Sequence, residues 1–363
     1  MSFKLPTYRE PDFDQPRFRA CPAVAVRPVE KPGVAPDNFH ATTIFPEYFK
    51  IGGQWTLLSQ SRMDCTVVLG ADGRLEAKEF RRLKPGDMVV VGRTEDGSDG
   101  IYIHTRGFRN DAGLAETFAF RTGRSRETSY SRDYDRLYEL LRFEKNHGYI
   151  VWVLGPAVVF DSDSKKAMIS LIENGFVHAI LAGNALAAHD LEGAVFKTAL
   201  GQDIYTQESI PDGHYHHLDI INRARGCESL DKFIAGVDAD GSVICACAKN
   251  NVPVVLAGSI RDDGPLPGVI ADVYAAQDAM RRHAAKATTV LCLATQLHSI
   301  ATGNMTPAYQ VVDGVVRPVS IFSVDVSEFA VNKLRDRGTL EVTSIVTNIQ
   351  DFLVNLHRNL IDA

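Results

Sequence analysis

The sequence predicts an α/β protein, in which a doubly wound and mostly parallel sheet follows a smaller N-terminal β domain. Three observations carry this prediction. From His147 onward, apolar runs of strand length alternate with segments of helical periodicity, which is the pattern of repeated β-α units. These runs are apolar throughout, so helices are expected to cover both faces of the sheet. Between residues 38 and 105, short apolar runs are instead separated by turn signals such as Asp72-Gly73 and Pro85-Gly86, which favour hairpins.

Three regions are predicted in order along the chain. Residues 1–37 are rich in proline and are expected to form an extended arm that packs on the body or on a partner subunit, which favours a homo-oligomer. Residues 38–110 are expected to form the small β-rich domain, and residues 111–363 the larger domain. Within the small domain, strands are predicted at 56–58, 65–69, 88–91 and 101–104.

The larger domain begins with a charged stretch, in which residues 121–133 either bind an anionic group or form a surface linker. Strands and helices then alternate. Asn174-Gly175 is a typical C-terminal cap for the helix predicted at 163–173. Strands are predicted at 149–154, 176–181, 252–256, 289–294, 319–324 and 342–346. Helices are predicted at 163–173, 184–200, 213–235, 269–282, 328–335 and 349–360, and one more is predicted to begin at Thr295.

The composition excludes several classes of protein. A net charge of −6 at pH 7 gives no basic surface for nucleic acid or anionic lipid. No apolar run reaches the ~18 residues of a membrane helix, and the first residues lack the apolar core of a signal peptide. Six cysteines without a CxxC pair are typical of reduced thiols rather than of a disulfide framework. We therefore expect a cytoplasmic protein without nucleic-acid or membrane partners.

The stretch from Val252 to Pro267 is expected to form the centre of a functional site. Its sequence, VPVVLAGSIRDDGPLP, predicts a buried strand and a polar loop, and a helical pattern begins at Val269. Open α/β sheets bind ligands beyond the carboxyl ends of their strands, where this loop places Arg261, Asp262 and Asp263. The alternative is a solvated turn with a local ion pair.

Other strand ends favour a nucleotide, although the sequence contains no GxGxxG fingerprint. Gly183-Asn184-Ala185 follows one strand and opens a helix, so small residues and N–H groups are available to a phosphate. The turn 294–298 repeats this arrangement, and Asn348-Ile349 closes the last strand. Asp325 follows the strand at 319–324, where a carboxylate accepts hydrogen bonds from ribose hydroxyls and favours NAD over NADP. The alternative for each strand end is an ordinary helix cap.

Three further features leave alternatives open. The stretch GHYHH (213–217) lacks a companion ligand at the spacing of a metal site, so it is expected to line a site or a surface loop, and no metal ion is predicted. Lys197 either is solvated or serves as a base or amine holder. His298, beside the proposed nucleotide, is either a general acid-base group or a structural hydrogen-bond partner.

Several long stretches resemble the archaeal-type ornithine cyclodeaminase family, also called the LOR/SDH conserved-region family. This family includes the C-terminal half of cyanobacterial bifunctional arginine dihydrolase/ornithine cyclodeaminases. The resemblance spans most of residues 38–352 and is carried by FHATTIFPEYF (39–49), HAILAGNALAAHDLE (178–192), GHYHHLDIINRARGC (213–227), NNVPVVLAGSIRDDGPLPG (250–268), ATQLHSIATGNMTPA (294–308) and IFSVDVSEF (321–329).

The resemblance implies a Rossmann-like sheet similar to that of deoxyhypusine synthase, which explains the missing glycine fingerprint, and it implies NAD as the cofactor. It also implies an ammonia-lyase that converts L-ornithine to L-proline and ammonia by internal removal and return of a hydride. The residues expected to bind NAD are Asn184, Ala185, Gly258, Ser259, Asp262, Thr295, Gln296, Leu297, His298, Asp325, Asn348 and Ile349.

Lys197, Arg261, Asp263 and His298 are the candidate catalytic residues for an amino-acid substrate. Arg261 is predicted to clamp the carboxylate, and Asp262 or Asp263 to hold an ammonium group or a ribose. Lys197 or His298 is predicted to move protons. The alternative functions are an NAD-dependent amino-acid dehydrogenase, an NAD-assisted group-transfer enzyme acting on a related amino acid or amine, and a non-catalytic NAD-binding protein.

Overall fold

A computed structural model of the chain describes residues 4–109, 131–237, 239–260, 262, 264–327 and 340–362. Four of the sequence-based predictions fall at least partly outside the described residues, namely those on Arg261, on Asp263, on the helix 328–335 and on most of the segment 121–133. Within the described part of the chain, no helix is long and apolar enough to cross a bilayer.

The described part of the N-terminal region contains three small antiparallel sheets. Its elements are β1 (Thr7–Tyr8), α1 (Pro16–Arg19), β2 (Ala25–Pro28), β3 (Glu47–Ile51), β4 (Gln54–Leu57), β5 (Thr66–Leu69), β6 (Leu75–Lys78), β7 (Met88–Val91), β8 (Ile101–Ile103) and β9 (Phe108–Arg109). A four-stranded sheet has the order β2-β7-β5-β6, a three-stranded sheet has the order β4-β3-β8, and β1 pairs with β9. The four strands predicted for this region correspond to β4, β5, β7 and β8.

The other strands of this region were not predicted, and β2 and β3 show why. β3 reads EYFKI, and its charged side chains Glu47 and Lys50 are buried. They are satisfied there because Glu47 bonds to His40 (3.0 Å), while Lys50 donates to three backbone carbonyls of the proline-rich arm. β2 comes from that arm, and its Ala25 lies opposite Val91 of β7. The boundaries at residues 37 and 110 stay predictions.

Six parallel strands form the central sheet of the larger domain, with two separate hairpins beside it. The strands in chain order are β10 (Ile150–Leu154), β11 (Ala179–Gly183), β12 (Thr198–Ala199), β13 (Gln202–Asp203), β14 (Val254–Ala257), β15 (Thr289–Leu293), β16 (Tyr309–Val312), β17 (Val315–Pro318), β18 (Ser320–Asp325) and β19 (Glu341–Val346). The six-stranded sheet has the order β14-β11-β10-β15-β18-β19. In chain order, β11 and β14 are therefore added on one side of β10, and β15, β18 and β19 are then added on the other side. This order is that of doubly wound nucleotide-binding sheets, and it confirms the predicted fold class.

Helices cover both faces of this sheet, as predicted. They are α2 (Ser131–His147), α3 (Ser162–Glu173), α4 (Asn184–Phe196), α5 (His216–Arg225), α6 (Leu230–Gly236), α7 (Val243–Lys249), α8 (Val273–Ala284), α9 (Gln296–Met305) and α10 (Ile349–Leu360). Side chains of a strand alternate between the faces, so Trp152 packs in the core formed with α3, α4, α7 and α10, whereas Val151 and Val153 pack in the core formed with α8 and α9.

Two predicted helices are too long. The helix predicted at 184–200 ends at Phe196, because Lys197 adopts a left-handed backbone conformation with a φ of 60°. The hairpin of β12 and β13 follows. The helical stretch predicted at 213–235 is divided into α5 and α6. Ser229 begins α6 by accepting a hydrogen bond from the backbone N–H of Lys232, which fixes the break between the two helices.

Candidate functional site

The carboxyl ends of β10 and β15 meet where the strand order reverses. The N–H of Gly155 donates to the carbonyl of Leu293 (2.8 Å), so the chain leaving β10 stays against the end of β15. A Cβ on Gly155 would overlap the carbonyl oxygen of Ala294, and Ala294 itself has a φ of 48°. Only glycine fits at position 155. The ligand crevice of an open α/β sheet begins at this point.

Two helices begin at this edge without a side-chain cap. The N-cap of α4 is Gly183 and the N-cap of α9 is Thr295, and neither supplies a capping hydrogen bond. In contrast, Asp161, Asp272 and Asn348 cap α3, α8 and α10. The first N–H groups of α4 and α9 are therefore left for another acceptor, and the positive end of each helix dipole favours an anion there.

His298 connects α9 to the end of β11. A Cβ on Gly183 would lie 2.8 Å from Cε1 of His298, so the imidazole rests against the backbone of Gly183. Burial lowers the pKa of His298, and the charge of Asp262 opposes this effect without cancelling it. The imidazole is therefore neutral at pH 7, with one nitrogen that accepts a hydrogen bond and one that donates.

The loop after β14 is joined to the start of α4. The backbone N–H of Leu266 donates to Oδ1 of the buried Asn184 (3.0 Å). Asp262 accepts a hydrogen bond from the N–H of Ser259 (2.8 Å), and its own N–H donates to the Ser259 carbonyl (3.0 Å). These bonds hold Asp262 and the N-terminus of α4 at the same edge of the sheet.

The ends of β18 and β19 complete this edge. Asp325 is half-buried, and its Oδ1 accepts a hydrogen bond from the N–H of Ser327 (2.9 Å). Asn348 caps α10, and the side chain of Gln350 in the same turn donates to the carbonyl of Ala157, just beyond β10 (3.3 Å). Neighbouring strands lie about 4.8 Å apart, so β11 and β18 are separated by about 14 Å. The edge is therefore long enough for an extended ligand.

Three large apolar side chains are exposed along the same edge. Ile260, Leu297 and Val326 follow β14, β15 and β18, and their exposed fractions are 105%, 70% and 70%. Apolar side chains at the mouth of a crevice provide surfaces on which the flat rings of a ligand can pack. The edge thus combines charged and polar side chains with exposed apolar side chains.

Two family models match most of the chain. The model described as "Arginine dihydrolase ArgZ-like, C-terminal, Rossmann fold" covers residues 137–356. A second model, described as the first region of the same C-terminal part, covers residues 46–128. The chain belongs to the ArgZ-like C-terminal family.

One curated relative and two solved structures show how close the ArgZ-like chain is to known proteins. An ornithine cyclodeaminase of Methanocaldococcus jannaschii is 39% identical over 344 residues, which are 93% of this chain and 78% of that protein. A LOR/SDH protein of Methanococcus maripaludis is 34% identical with a TM-score of 0.82, over 93% of this chain and 98% of that one. The ternary complex of AgrE with ornithine and NAD+ is 32% identical with a TM-score of 0.57, over 96% of this chain and 47% of that one. The resemblance inferred from the sequence is confirmed.

Most predicted cofactor residues of this ArgZ-like chain lie together at the carboxyl edge of the sheet. Ile349 contributes no side chain to that edge, because its side chain is 3% exposed and belongs to the hydrophobic core. Arg261 and Asp263, two of the predicted catalytic residues, lie outside the described residues. The residues at the edge are Asn184, Ala185, Gly258, Ser259, Asp262, Thr295, Gln296, Leu297, His298, Asp325 and Asn348.

Lys197 is not brought to this edge. It follows the 13 residues of α4, so it lies about 20 Å along the helix axis from Asn184. Its side chain is exposed, and its ammonium group donates to the carbonyl of Ala194 (2.7 Å). The helix therefore carries Lys197 away from the other candidates, and the role in proton transfer predicted for it has no support in the fold.

Two residues of the edge are absent from the sequence-based predictions. Gly155 directly follows the first strand of the sheet, and this position is the only feature of the sequence that indicates a place at the edge. Arg225, the last residue of α5, donates from its guanidinium to the carbonyl of Pro265 in the loop after β14 (3.4 Å). Nothing local in the sequence indicates this contact, because it depends on how α5 packs against a loop that lies 40 residues further along.

Proposed function

We propose that this chain is an NAD-dependent ornithine cyclodeaminase, which converts L-ornithine or a closely related diamino acid to a cyclic product and ammonia without net oxidation. The observation that carries the proposal is the carboxyl edge of the sheet, where two uncapped helix N-termini lie at the same edge as His298 and Asp325. The relative named ornithine cyclodeaminase supports the substrate class. The AgrE complex with ornithine and NAD+ supports this pair of ligands.

The residues at the edge fit a dinucleotide. The N-termini of α4 and α9 offer N–H groups to a pyrophosphate. The carboxylate of Asp325 accepts hydrogen bonds from ribose hydroxyls and would repel a 2′-phosphate, which favours NAD over NADP. Leu297 and Val326 offer apolar surface to the rings. When bound, NAD supplies an acceptor that takes a hydride from a substrate carbon and can return it.

His298 is the described residue best suited to move a proton at this edge. Its neutral imidazole can accept a proton from a substrate ammonium group, which must be neutral before its nitrogen can attack a carbon. Protonated His298 can then return the proton to the departing ammonia. Asp262 is near enough to influence the pKa of His298, so its carboxylate stabilises the imidazolium during this exchange.

Arg225 is suited to bind the substrate carboxylate. It makes one hydrogen bond within the described structure, at 3.4 Å, so most of its five N–H groups are available to a ligand. The guanidinium fork matches the two oxygens of a carboxylate. Arg261 was predicted to fill this role from the sequence, and the loop that contains Arg261 is the one that Arg225 contacts.

Turnover with a small amount of NAD+ tests the proposal. We expect the purified chain to convert an excess of L-ornithine to L-proline and ammonia, both measured by mass, without accumulation of NADH. Release of one NADH for each product molecule would instead identify a dehydrogenase. Tight binding of NAD+ without turnover of any diamino acid would identify a non-catalytic NAD-binding protein.

A further inference from the structure

A second group of polar side chains lies on the outer face of α4, away from the carboxyl edge. We call it the imidazole cluster, and it consists of His189 and Glu192 of α4, Thr198 of β12, and His216 and His217 of α5. The α5 helix and the β12–β13 hairpin pack over α4 and enclose the cluster. The proposed function uses none of these residues.

Glu192 supplies a buried negative charge to the cluster. Its side chain is fully buried, and it accepts hydrogen bonds from Nδ1 of His189 (2.8 Å), the hydroxyl of Thr198 (2.9 Å) and the N–H of Gly201 (3.3 Å). Burial alone would raise the pKa of Glu192, but these hydrogen bonds outweigh burial and the pKa lies below its usual value. Glu192 is therefore ionised at pH 7.

The hydrogen bonds fix which imidazole nitrogens carry a proton. His189 donates from Nδ1 to Glu192, so neutral His189 has its lone pair on Nε2. The hydroxyl of Thr198 donates to Glu192 and therefore accepts from Nδ1 of His216 (2.8 Å). Nδ1 of His217 is buried and has no hydrogen-bond partner within the described structure. A buried polar atom without a partner is rare in folded proteins and indicates a missing ligand or water.

The imidazole rings of His189 and His217 are neighbours in the cluster. Their ring centroids are 5.8 Å apart, and the centroid of the Phe160 ring lies 5.4 Å from that of His189 in a T-shaped arrangement. Burial lowers the pKa of His217, with a smaller contribution from the neighbouring His189. Lys165, a buried cation nearby, is already paired with Asp190 (3.1 Å). Among the described residues, Glu192 pairs with His189 and with no lysine or arginine.

We infer that His189 and His217, with the carboxylate of Glu192 behind them, bind an ammonium group, which is either a free ammonium ion or the terminal ammonium group of an amine. Imidazole lone pairs accept hydrogen bonds from such a group. The buried carboxylate balances the charge. A transition-metal ion is disfavoured, since no group of three or more ligand-type side chains converges in the described part of the chain.

Phe160, in the connection between β10 and α3, packs against His189 of the cluster. The inference that a cation binds rests on the geometry of the cluster. Only the statement that the bound ammonium comes from ammonia released by the reaction rests on the proposed function. The site would then hold released ammonia, or the ammonium group of an amine, apart from the carboxyl edge.

Nitrogen-15 NMR of the full chain labelled at histidine tests this inference. We expect ammonium chloride to produce saturable shifts in the resonances of His189 and His217 at pH 7.5, and potassium chloride at equal ionic strength to produce none. His217→Phe keeps a ring of similar shape without nitrogen, and should weaken ammonium binding about tenfold or more. His214→Phe is the matched control on an exposed histidine of the same segment, and should bind like the original chain.

A second variant and a second ligand make the result decisive. Glu192→Gln keeps an acceptor for Thr198 but removes the charge, so it should also weaken the binding of ammonium. The melting temperature shows whether the fold is kept.

Competition by diaminobutane would show that the site accepts the terminal ammonium group of an amine, and ammonium binding without such competition would identify the free ion. The inference is overturned if neither ligand gives a saturable shift, or if zinc ions bind at micromolar concentration where ammonium does not. Ornithine turnover is measured on the same samples. Turnover without ammonium binding at the cluster would contradict this inference alone, whereas absence of turnover would contradict the proposed function.

Discussion

Gly183 and His298 are in direct contact, and a Cβ on residue 183 would lie 2.8 Å from Cε1 of the imidazole. This contact joins the end of β11 to the first turn of α9, and β11 and β15, the strand that leads into α9, lie on opposite sides of β10. The spacing of the two uncapped helix N-termini therefore depends on a glycine. Side chains essentially never approach a Cβ this closely, so any larger residue must displace His298.

Gly183→Ala should reduce turnover with little loss of stability. Displacing a proton-transfer group by about 1 Å can lower kcat by about a hundredfold. The measurement is the steady-state rate of ammonia release together with the melting temperature. Gly236→Ala is a suitable control, because a Cβ there meets nothing within 4 Å. If Gly183→Ala were as active as Gly236→Ala, His298 would not act from its observed position.

Asp325→Ala should weaken the binding of NAD+. The substitution removes an acceptor for ribose hydroxyls, and a hydrogen bond to a charged group contributes about 1.5–3 kcal/mol. We therefore expect the dissociation constant measured by calorimetry to rise more than about tenfold and the preference for NAD over NADP to shrink. Asp313→Ala removes an exposed carboxylate from the turn between β16 and β17, and should leave the affinity unchanged. Equal affinities of the two variants would exclude Asp325 from the cofactor site.

The activity should decline at acidic pH, with a midpoint below 6.5. Burial lowers the pKa of His298 from its ordinary value, so the base form persists to lower pH than in a free histidine. Activity is then present above the lowered pKa and is lost as the pH falls through it. Asp262→Asn removes the charge that raises the pKa of His298, so the midpoint should move further down. A midpoint above pH 7, or one that Asp262→Asn moves upward, would contradict this assignment.

Glu79→Gln should loosen the attachment of the N-terminal β region to α8. Glu79 forms ion pairs with Arg62 and Arg281, which are both largely buried. Removing one partner of a buried pair costs about 3 kcal/mol, because the remaining charges lose their compensation. The shift in a urea unfolding curve measures this cost.

A control and a rescue support the interpretation of Glu79→Gln. Asp72→Asn breaks the exposed pair with Arg74, and should change the free energy of unfolding by less than about 0.5 kcal/mol. Glu79→Gln combined with Arg281→Met should regain part of the loss, since the uncompensated charge is removed. If the double variant is less stable than Glu79→Gln alone, the ion pair is not the cause.

The larger domain was predictable because its strands are apolar throughout, and the ends of parallel strands meet at one edge. Placing Asn184, Thr295, Asp325 and Asn348 at strand ends was therefore sufficient to place them together. The small elements were harder to predict. α7 has 7 residues and the hairpin of β16 and β17 has 4 residues in each strand, which is too short for a clear periodicity.

Of the candidate catalytic residues that the structure describes, His298 lies at the carboxyl edge and Lys197 does not. Lys197 was proposed because it lies on the helix that follows Gly183-Asn184-Ala185, yet the 13 residues of α4 carry it to the far end of that helix. Arg225 and the imidazole cluster depend on how α5 folds back on α4, which no local pattern encodes. The homo-oligomer, the cytoplasmic location and the two domain boundaries stay predictions.

A crystal structure of the chain grown with NAD+ tests the central claim most directly. We predict that the dinucleotide lies along the carboxyl edge of the six-stranded sheet, with its pyrophosphate at the N-termini of α4 and α9 and a ribose on the carboxylate of Asp325. A dinucleotide bound elsewhere, or none bound at saturating concentration, would contradict the account.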